Sequence, residues 1–211
     1  GSSDDSVSEV RRVADDRLGL ISEPDRGIYD ALNKGIGLAT GDVVGLMHSD
    51  DFFAAQDVLE RVAEAFSDPR VQGVYGDLEY VSNSDPDRVI RYWRAGEYSR
   101  EKLLRGWMPP HPTLYLRREV LEQWGGYDTR YRIAADYDAM LRWLMRGNIE
   151  LAYVPRVFVR MRVGGASNRS LRQILRKSAE DYRALRANGA GGLRTLLLKN
   201  LRKIRQFFVR G

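Results

Sequence analysis

The sequence predicts an α/β fold, in which a mostly parallel sheet is flanked by helices. Predicted strands and helices alternate through the first half of the chain, which is the order typical of this class. The apolar run at residues 43–48 (VVGLMH) does not alternate with polar residues, as is usual for parallel strands covered on both faces. A chain of 211 residues, 43% of them hydrophobic, is large enough for one domain with a substantial core.

Apolar spacing in the first half predicts three helices and three strands. Helices are expected at residues 7–14, 27–39 and 57–66. Strands are expected at residues 18–22, 43–48 and 71–76, and the last of these continues over residues 78–82 after a bulge. The helix at residues 27–39 has the clearest pattern, because its apolar residues share one face.

Glycines and prolines interrupt the second half more often. Gly125 and Gly126 predict the end of a helix over residues 118–124. Further helices are expected at residues 135–146, 171–187 and 193–209, and strands at 114–116 and 149–161. These elements divide the chain into an α/β domain over residues 1–168 and a basic helical tail over residues 169–211.

Composition limits the kinds of partner. No apolar run approaches the ~18–20 residues of a membrane-spanning helix. The chain has no cysteine and only two histidines, His48 and His111, so a metal must be held mainly by oxygen, which favours Mg²⁺ or Mn²⁺. Residues 171–211 contain eleven Lys and Arg against two acids, which indicates a phosphate-rich partner, either a membrane surface or a nucleic acid.

Asp50 and Asp51 are adjacent carboxylates directly after the predicted strand at residues 43–48. Asp57 and Glu60 have the spacing of a capping box for the next helix, so the pair is not needed there. Ligands bind open α/β sheets just beyond the carboxyl ends of strands, where a divalent cation would relieve the repulsion and bind a diphosphate. Two interpretations stay open: a metal-and-phosphate site, or an exposed loop.

Six stretches together resemble family 2 glycosyltransferases of GT-A fold, in their bacterial SEPDxGIYDAMNKGI branch. They are residues 22–36 (SEPDRGIYDALNKGI), 39–42 (ATGD), 48–51 (HSDD), 111–113 (HPT), 125–128 (GGYD) and 133–138 (IAADYD). The resemblance extends over residues 1 to about 165. It implies an enzyme that binds a UDP-, GDP- or dTDP-sugar with Mg²⁺ or Mn²⁺ and transfers the sugar, with inversion, to a glycan or lipid-linked acceptor.

The resemblance also implies roles on the donor side. Asp50 matches the metal-binding aspartate of the DxD motif, and Asp51 lies beside it as a second metal ligand. His48 stands where the first aspartate of that motif is usual. The remaining expected donor contacts are Asp25, Asn33, Lys34 and Ser49, together with Asp50 itself. For Lys34, a solvated helix residue is an equally open interpretation.

On the acceptor side, Asp136 matches the catalytic base of the family. A carboxylate at this place also favours a helix start, and the two roles are compatible. His111 and Asp138 are expected to face the acceptor, although a turn histidine and a structural aspartate are the alternatives. Gly164 and Gly165 predict a loop that folds over the donor, or an ordinary turn.

The opening residues 1–7 (GSSDDSV) resemble the middle of a stretch that follows the second strand in this family. The first strand, first helix and second strand are therefore expected to be absent here. Their absence would leave the predicted strand at residues 18–22 with an unpaired edge. A shortened, non-catalytic module that binds a membrane or a partner is consequently the alternative function.

The last predicted helix has an apolar face that contains Leu193, Leu197, Leu201, Ile204 and Phe208, and much of the rest is basic. The basic residues are Arg194, Lys199, Arg202, Lys203, Arg205 and Arg210. This pattern predicts a helix on the anionic inner face of the plasma membrane, in a cytoplasmic protein. A helix docked on the domain is the alternative. Nucleic acid is not expected, because no recognised nucleic-acid-binding fold or interleaved aromatic pattern is present.

Overall fold

One mixed sheet with helices against both faces organises the protein. The computed structural model describes residues 1–163 and 171–205, and the elements below belong to that part of the chain. The strands are β1 (Val43–Val44), β2 (Asp51–Phe53), β3 (Gly73–Val81), β4 (Val89–Trp93), β5 (Tyr115–Arg117) and β6 (Leu151–Arg162). The helices are α1 (Ser6–Val13), α2 (Ile28–Leu38), α3 (Val58–Ala65), α4 (Arg100–Leu104), α5 (Arg118–Trp124), α6 (Ala135–Leu141), α7 (Leu171–Ala187) and α8 (Leu193–Arg205).

The strand order is β1-β5-β3-β6-β2, and β4 pairs with the second half of β3. β3 and β6 are parallel, whereas the β1–β5, β3–β5, β3–β4 and β2–β6 pairs are antiparallel. The predicted α/β class is confirmed, but the expectation of a mostly parallel sheet is wrong for the described strands. One reason is that β4 follows β3 after a short turn and so returns beside it. In addition, only Val43–Val44 of the apolar run at residues 43–48 form a strand, and they pair with β5.

Two core clusters lie on opposite faces of the sheet. Val74 and Tyr75 are adjacent in β3 and both are fully buried. Val74 packs with Val62 of α3 and Phe158 of β6, whereas Tyr75 belongs to the cluster that contains Met140 of α6. Because adjacent side chains of a strand point to opposite faces, each face of β3 is covered by its own layer of side chains.

The strand predicted at residues 18–22 does not form. This segment carries no strand or helix, and Leu18, Leu20 and Ile21 are 43%, 38% and 54% exposed. Apolar, β-branched residues favour a strand only where a neighbouring strand accepts their hydrogen bonds and covers one face. In the described part of the chain no strand lies beside this segment, so its local preference has no effect.

Most other predicted elements form close to their expected bounds. The bulge expected within β3 is confirmed, because its register with β6 shifts on either side of Asp77. Asp57 stands at the N-cap of α3, but the predicted capping bond is wrong: its carboxylate instead accepts from Arg61 Nε at 2.7 Å. The helix predicted at residues 135–146 begins as α6 and continues as a π-helical turn from Arg142 to Arg146.

The tail helices pack on the same core as α6. Leu185 of α7 is fully buried in the α6 cluster. Lys199 of α8, predicted among the basic residues that face an anionic membrane, is instead 4% exposed, and its Nζ lies 2.7 Å from Asp181 and 3.2 Å from the ring centre of Tyr137. The predicted boundary at residue 168, the glycine pair at 164 and 165, and Phe208 lie outside the described residues. Within those residues, none of the helices combines the length and apolar character needed to cross a bilayer.

Candidate active site

β2 carries the second aspartate of the carboxylate pair into the sheet. Asp51 follows a turn in which its N–H donates to the His48 carbonyl at 3.1 Å. Asp51 is 9% exposed, whereas Asp50 is exposed, and neither carboxylate oxygen of Asp51 has a hydrogen-bond partner among the described residues. Burial, and secondly the charge of Asp50, raise the pKa of Asp51 to about 7. A cation bound here would relieve both the desolvation and the repulsion.

The sheet register places Asp51 and Tyr80 in one row. Asp51 lies opposite Met161 in the β2–β6 pair, and Met161 lies opposite Tyr80 in the β6–β3 pair. Laterally paired residues point to the same face, and two strand spacings separate the Cα atoms by roughly 10 Å. Burial raises the pKa of the Tyr80 hydroxyl, Arg91 opposes this, and the charges of Asp51 and Asp136 raise it further. Tyr80 therefore lies within the electrostatic reach of both carboxylates.

α6 presents Asp136 in its first turn, next to α2. Tyr29 of α2 donates its hydroxyl to the Ile133 carbonyl at 2.7 Å, and the same hydroxyl oxygen lies 3.4 Å from Asp136 Oδ1. Burial raises the pKa of Tyr29, and the charge of Asp136 adds to that rise. Ala134, not Asp136, is the N-cap residue of α6, so Asp136 is not needed as the cap.

His111 lies within the electrostatic reach of Asp136, and His48 lies beside His111. His111 is buried in a short 3₁₀ helix, and its Nε2 lies 2.7 Å from the Tyr127 hydroxyl oxygen. The two histidine ring centres are 6.1 Å apart. Burial lowers the pKa of His111; the charge of Asp136 opposes this shift, and His48 adds to it. The acceptor-side role of His111 stays a prediction.

The acceptor-side placement of Asp138 is contradicted by the structure. Asp138 is 5% exposed, its Oδ1 accepts from Asn188 Nδ2 at 2.9 Å, and its Oδ2 lies 3.3 Å from Arg142 Nη2. The reason is the helical period: Asp136 and Asp138 are about 200° apart around α6, so only one of them can face the site. Asp138 faces the core, where it links α6 to the end of α7.

Asn33 fastens α2 to the loop before α6. Its Oδ1 accepts from the Tyr127 N–H at 2.8 Å, and its Nδ2 donates to the Tyr127 carbonyl at 2.7 Å. This pairing satisfies both backbone groups of a residue that is 6% exposed. Asn33 thus has a structural role that its donor-side prediction did not include.

The other predicted donor residues lie on the surface around α2 and β2. Lys34 Nζ is 2.7 Å from Glu23 and donates to the Pro24 carbonyl at 2.9 Å. Asp25 accepts from the Gly27 N–H at 2.8 Å in the turn that opens α2, and Ser49 is exposed. Acidic and carbonyl partners already engage Lys34 in this state. Its contact with a donor, like those of Asp25 and Ser49, stays a prediction.

The sequence as a whole decides the family. The model of glycosyl transferase family 2 matches residues 1–125, more than half of the 211 residues. The chain belongs to glycosyl transferase family 2. The resemblance stated above is thereby confirmed at the level of the family, while the bacterial branch and the missing first elements stay predictions.

Curated relatives of this family 2 chain are mycobacterial and other bacterial proteins. An uncharacterized glycosyltransferase of Mycobacterium tuberculosis strain CDC 1551 is 33% identical over 146 residues, which is 67% of this chain and 53% of the relative. A PGL/p-HBAD biosynthesis glycosyltransferase of Mycobacterium bovis BCG is 29% identical over 147 residues, which is 67% of this chain and 55% of the relative. The chain spans about half the length of these relatives.

Solved structures confirm the GT-A fold. The mannosyltransferase PcManGT from Pyrobaculum calidifontis, in complex with GDP-Man and Mn²⁺, has a TM-score of 0.57 at 21% identity, over 99% of this chain and 61% of that one. S. aureus TarS 1–349, in complex with UDP-GlcNAc, has a TM-score of 0.62 at 14% identity, over 89% of this chain and 54% of that one. At such identities the likeness concerns the fold alone.

Three tyrosines of the site were missed by the sequence reasoning. Tyr29 and Tyr127 lie inside the stretches that resemble the family, but the sequence motifs assign no role to their side chains. Tyr80 lies in a strand, where a tyrosine is usually a packing residue. The signal for Tyr29 was its place on α2, one turn before Asn33, which predicts that both face the same neighbour.

We expect Asn33→Ala to lower the free energy of unfolding by about 2–3 kcal/mol, because two buried backbone groups of Tyr127 lose their partners. Lys34→Ala, in the same helix, removes a surface ion pair and an exposed hydrogen bond to the Pro24 carbonyl, and it should change stability by less than about 1 kcal/mol. Urea unfolding followed by circular dichroism measures both variants. Equal stability of the two would contradict the structural role of Asn33.

Proposed function

We propose that this chain transfers a sugar, with inversion, from a nucleoside-diphosphate sugar to a glycan or lipid-linked acceptor. The observation that carries the proposal is the buried, unpartnered carboxylate of Asp51 in one lateral row with Tyr80, whose pKa the charges of both Asp51 and Asp136 raise. One carboxylate is suited to a cation and diphosphate, and the other to an acceptor hydroxyl. Two of the similar solved structures are complexes with nucleotide sugars, GDP-Man and UDP-GlcNAc, which supports the donor class. The PGL/p-HBAD relative supports a lipid-linked acceptor.

Asp50 and Asp51 would hold Mg²⁺ or Mn²⁺. They fit such an ion because both oxygens of Asp51 are buried without a hydrogen-bond partner in the described chain. Among the described residues, no group of three or more His, Asp or Glu side chains is arranged so that it could hold a metal ion. The remaining oxygen ligands would therefore be the diphosphate and water. A bound cation supplies Lewis-acid neutralisation of the charge that develops on the leaving diphosphate.

Asp136 is the proposed general base. It accepts the proton of the acceptor hydroxyl while that oxygen forms a bond to the anomeric carbon. The bond from this carbon to the diphosphate oxygen breaks on the opposite face, which inverts the configuration. Burial and the charge of Asp136 raise the pKa of the Tyr29 hydroxyl, so Tyr29 stays protonated and does not compete for the proton.

We expect Asp136→Asn to slow the release of GDP or UDP from GDP-mannose or UDP-GlcNAc by about 10²–10⁴-fold, because an amide cannot accept the proton. Donor affinity in the presence of Mn²⁺ should not change. Asp57→Asn, on α3 outside the site, is the matched control and should turn over as the wild type does. Retained turnover in Asp136→Asn would exclude this residue as the base. A wild-type chain that turns over neither donor would favour the non-catalytic alternative.

Removal of the buried carboxylate tests the metal site. We expect Asp51→Asn to weaken the binding of Mn²⁺ in the presence of UDP or GDP at least about tenfold, because the loss of one charged oxygen ligand removes more than 1.4 kcal/mol. Isothermal titration calorimetry measures this, again with Asp57→Asn as the control. Unchanged affinity in Asp51→Asn would show that the ion binds elsewhere or not at all.

α8 supports association with an anionic membrane surface at the inner face of the plasma membrane. The helix docks by its polar side, where Thr195 and Lys199 are 6% and 4% exposed. Its leucines face outward: Leu193, Leu197 and Leu201 are 66%, 64% and 59% exposed. An outward leucine stripe beside the exposed Arg194 suits lipid headgroups and the upper acyl region. A lipid-linked acceptor would be held at the same surface.

We expect the chain to sediment with vesicles that contain phosphatidylglycerol more than with pure phosphatidylcholine vesicles. Leu197→Glu should reduce the bound fraction several-fold, because it places a negative charge in the apolar contact. Leu59→Glu introduces the same change at a leucine of α3 that is 53% exposed, and it should bind as the wild type does. Equal losses in both variants, or no loss in either, would contradict a membrane contact through α8.

A further inference from the structure

Glu180 of α7 holds the backbone that leads into α6. Its Oε2 accepts three successive backbone N–H groups, from Arg132 at 3.0 Å, Ile133 at 2.8 Å and Ala134 at 3.1 Å. The first N–H groups of a helix and the residues before it have no partner within the helix. The N-cap residue Ala134 has no side chain that could accept them. A residue 46 positions further along the chain does so instead.

The carboxylate of Glu180 is ionised although its side chain is only 1% exposed. Burial alone would raise its pKa, but the three backbone N–H donors, and also Arg176, outweigh that effect and lower it. Arg176 Nε lies 3.3 Å from Oε1, on the side away from the helix start. The bonds to the backbone are therefore charge-assisted, a class about twice as strong as neutral hydrogen bonds. Such a contact fixes the position of residues 132–134 firmly.

The same backbone segment orients Asp136. The Ile133 carbonyl accepts the hydroxyl of Tyr29, and that hydroxyl lies 3.4 Å from Asp136 Oδ1. The Ala134 carbonyl accepts from the Asp138 N–H at 3.0 Å and so starts α6. A shift of residues 132–134 would move both the first turn of the helix and Tyr29. Asp136 would then lose its place beside the Tyr29 hydroxyl.

We propose that Glu180 is a positioning residue for the transfer reaction: through the Arg132, Ile133 and Ala134 N–H groups it fixes the turn of α6 that carries Asp136. The tail helix α7 is then a working part of the active site. As far as turnover is concerned, this inference rests on the proposed function. The contact between Glu180 and residues 132–134 does not depend on that function, so the contact and its effect on turnover are tested separately.

Hydrogen exchange tests the contact between Glu180 and residues 132–134, and it does not require the protein to be catalytically active. We expect the amides of residues 132–134 to exchange at least about tenfold faster in full-length Glu180→Ala than in the wild type. Thr195→Val is the matched control, because it removes the buried hydrogen bond from α8 to the Leu104 carbonyl but leaves residues 132–134 untouched. These amides should stay protected in the control. Unchanged protection in the Glu180 variant would overturn the assignment, whether or not the chain turns over a donor.

Turnover of the sugar donor tests whether the Glu180 contact matters for the transfer reaction. With GDP-mannose or UDP-GlcNAc and Mn²⁺, we expect Glu180→Ala to lower kcat at least about tenfold while the KM for the donor changes less than about threefold. Thr195→Val should keep kcat per folded molecule within about threefold of the wild type. Glu180→Gln retains an oxygen at the same place and should restore most of the lost kcat. If the Gln variant is as slow as the Ala variant, or if the Thr195 control loses as much, the positioning role is refuted.

Glu180→Asp replaces the alanine variant if that protein does not fold. It keeps the charge but is one methylene shorter, so it should release the same three amides and lower kcat in the same way. Wild-type exchange and wild-type kcat in Glu180→Asp would refute the inference. If the wild-type chain turns over neither donor, the proposed function fails, and the exchange experiment still decides the role of Glu180.

Discussion

The parallel pairing of β3 with β6 is the constraint on which the site depends. β6 connects β3 to β2, so the register of this pair sets the lateral row that contains Tyr80, Met161 and Asp51. A shift by one residue would turn Asp51 or Tyr80 to the opposite face of the sheet. The bulge at Asp77 lets the long β3 keep its pairing with β6 on both sides of the irregularity. The carboxylate of Asp51 is thereby placed by main-chain geometry.

α6 carries Asp136, the other carboxylate of the candidate site. Asp136 faces the site from its first turn, while Asp138, half a turn away, is bound in the core by Asn188 and Arg142. The carboxylate of Glu180 accepts hydrogen bonds from the backbone just before α6, and Lys199 packs over the ring of Tyr137 in α6. Contacts from α2, α7 and α8 thus meet on seven residues of helix and the residues just before them. The tail helices α7 and α8 consequently pack against the helix that carries Asp136.

Local signals explain what was predicted well. The helical spacing in α2 and α3 and the glycines after α5 depend only on residues a few positions apart, and these elements formed as expected. The donor-side assignment of Asn33 was incomplete because its partner, Tyr127, lies 94 positions away. Asp138 was misplaced for a related reason: the side of α6 that is buried depends on α7. The strand at residues 18–22 failed because a strand needs a neighbour, which local composition does not reveal.

The sequence by itself determined the family, the α/β class, most of the helices and the adjacency of the two aspartates. These properties follow from short-range spacing and from residue chemistry, which the order of amino acids contains directly. Only the tertiary structure decided the directions of the strands, the burial of Asp51, the lateral row of Asp51 and Tyr80 and the capping of α6 by Glu180. Each of these depends on residues far apart in the chain, and their distances are set by packing of the whole domain.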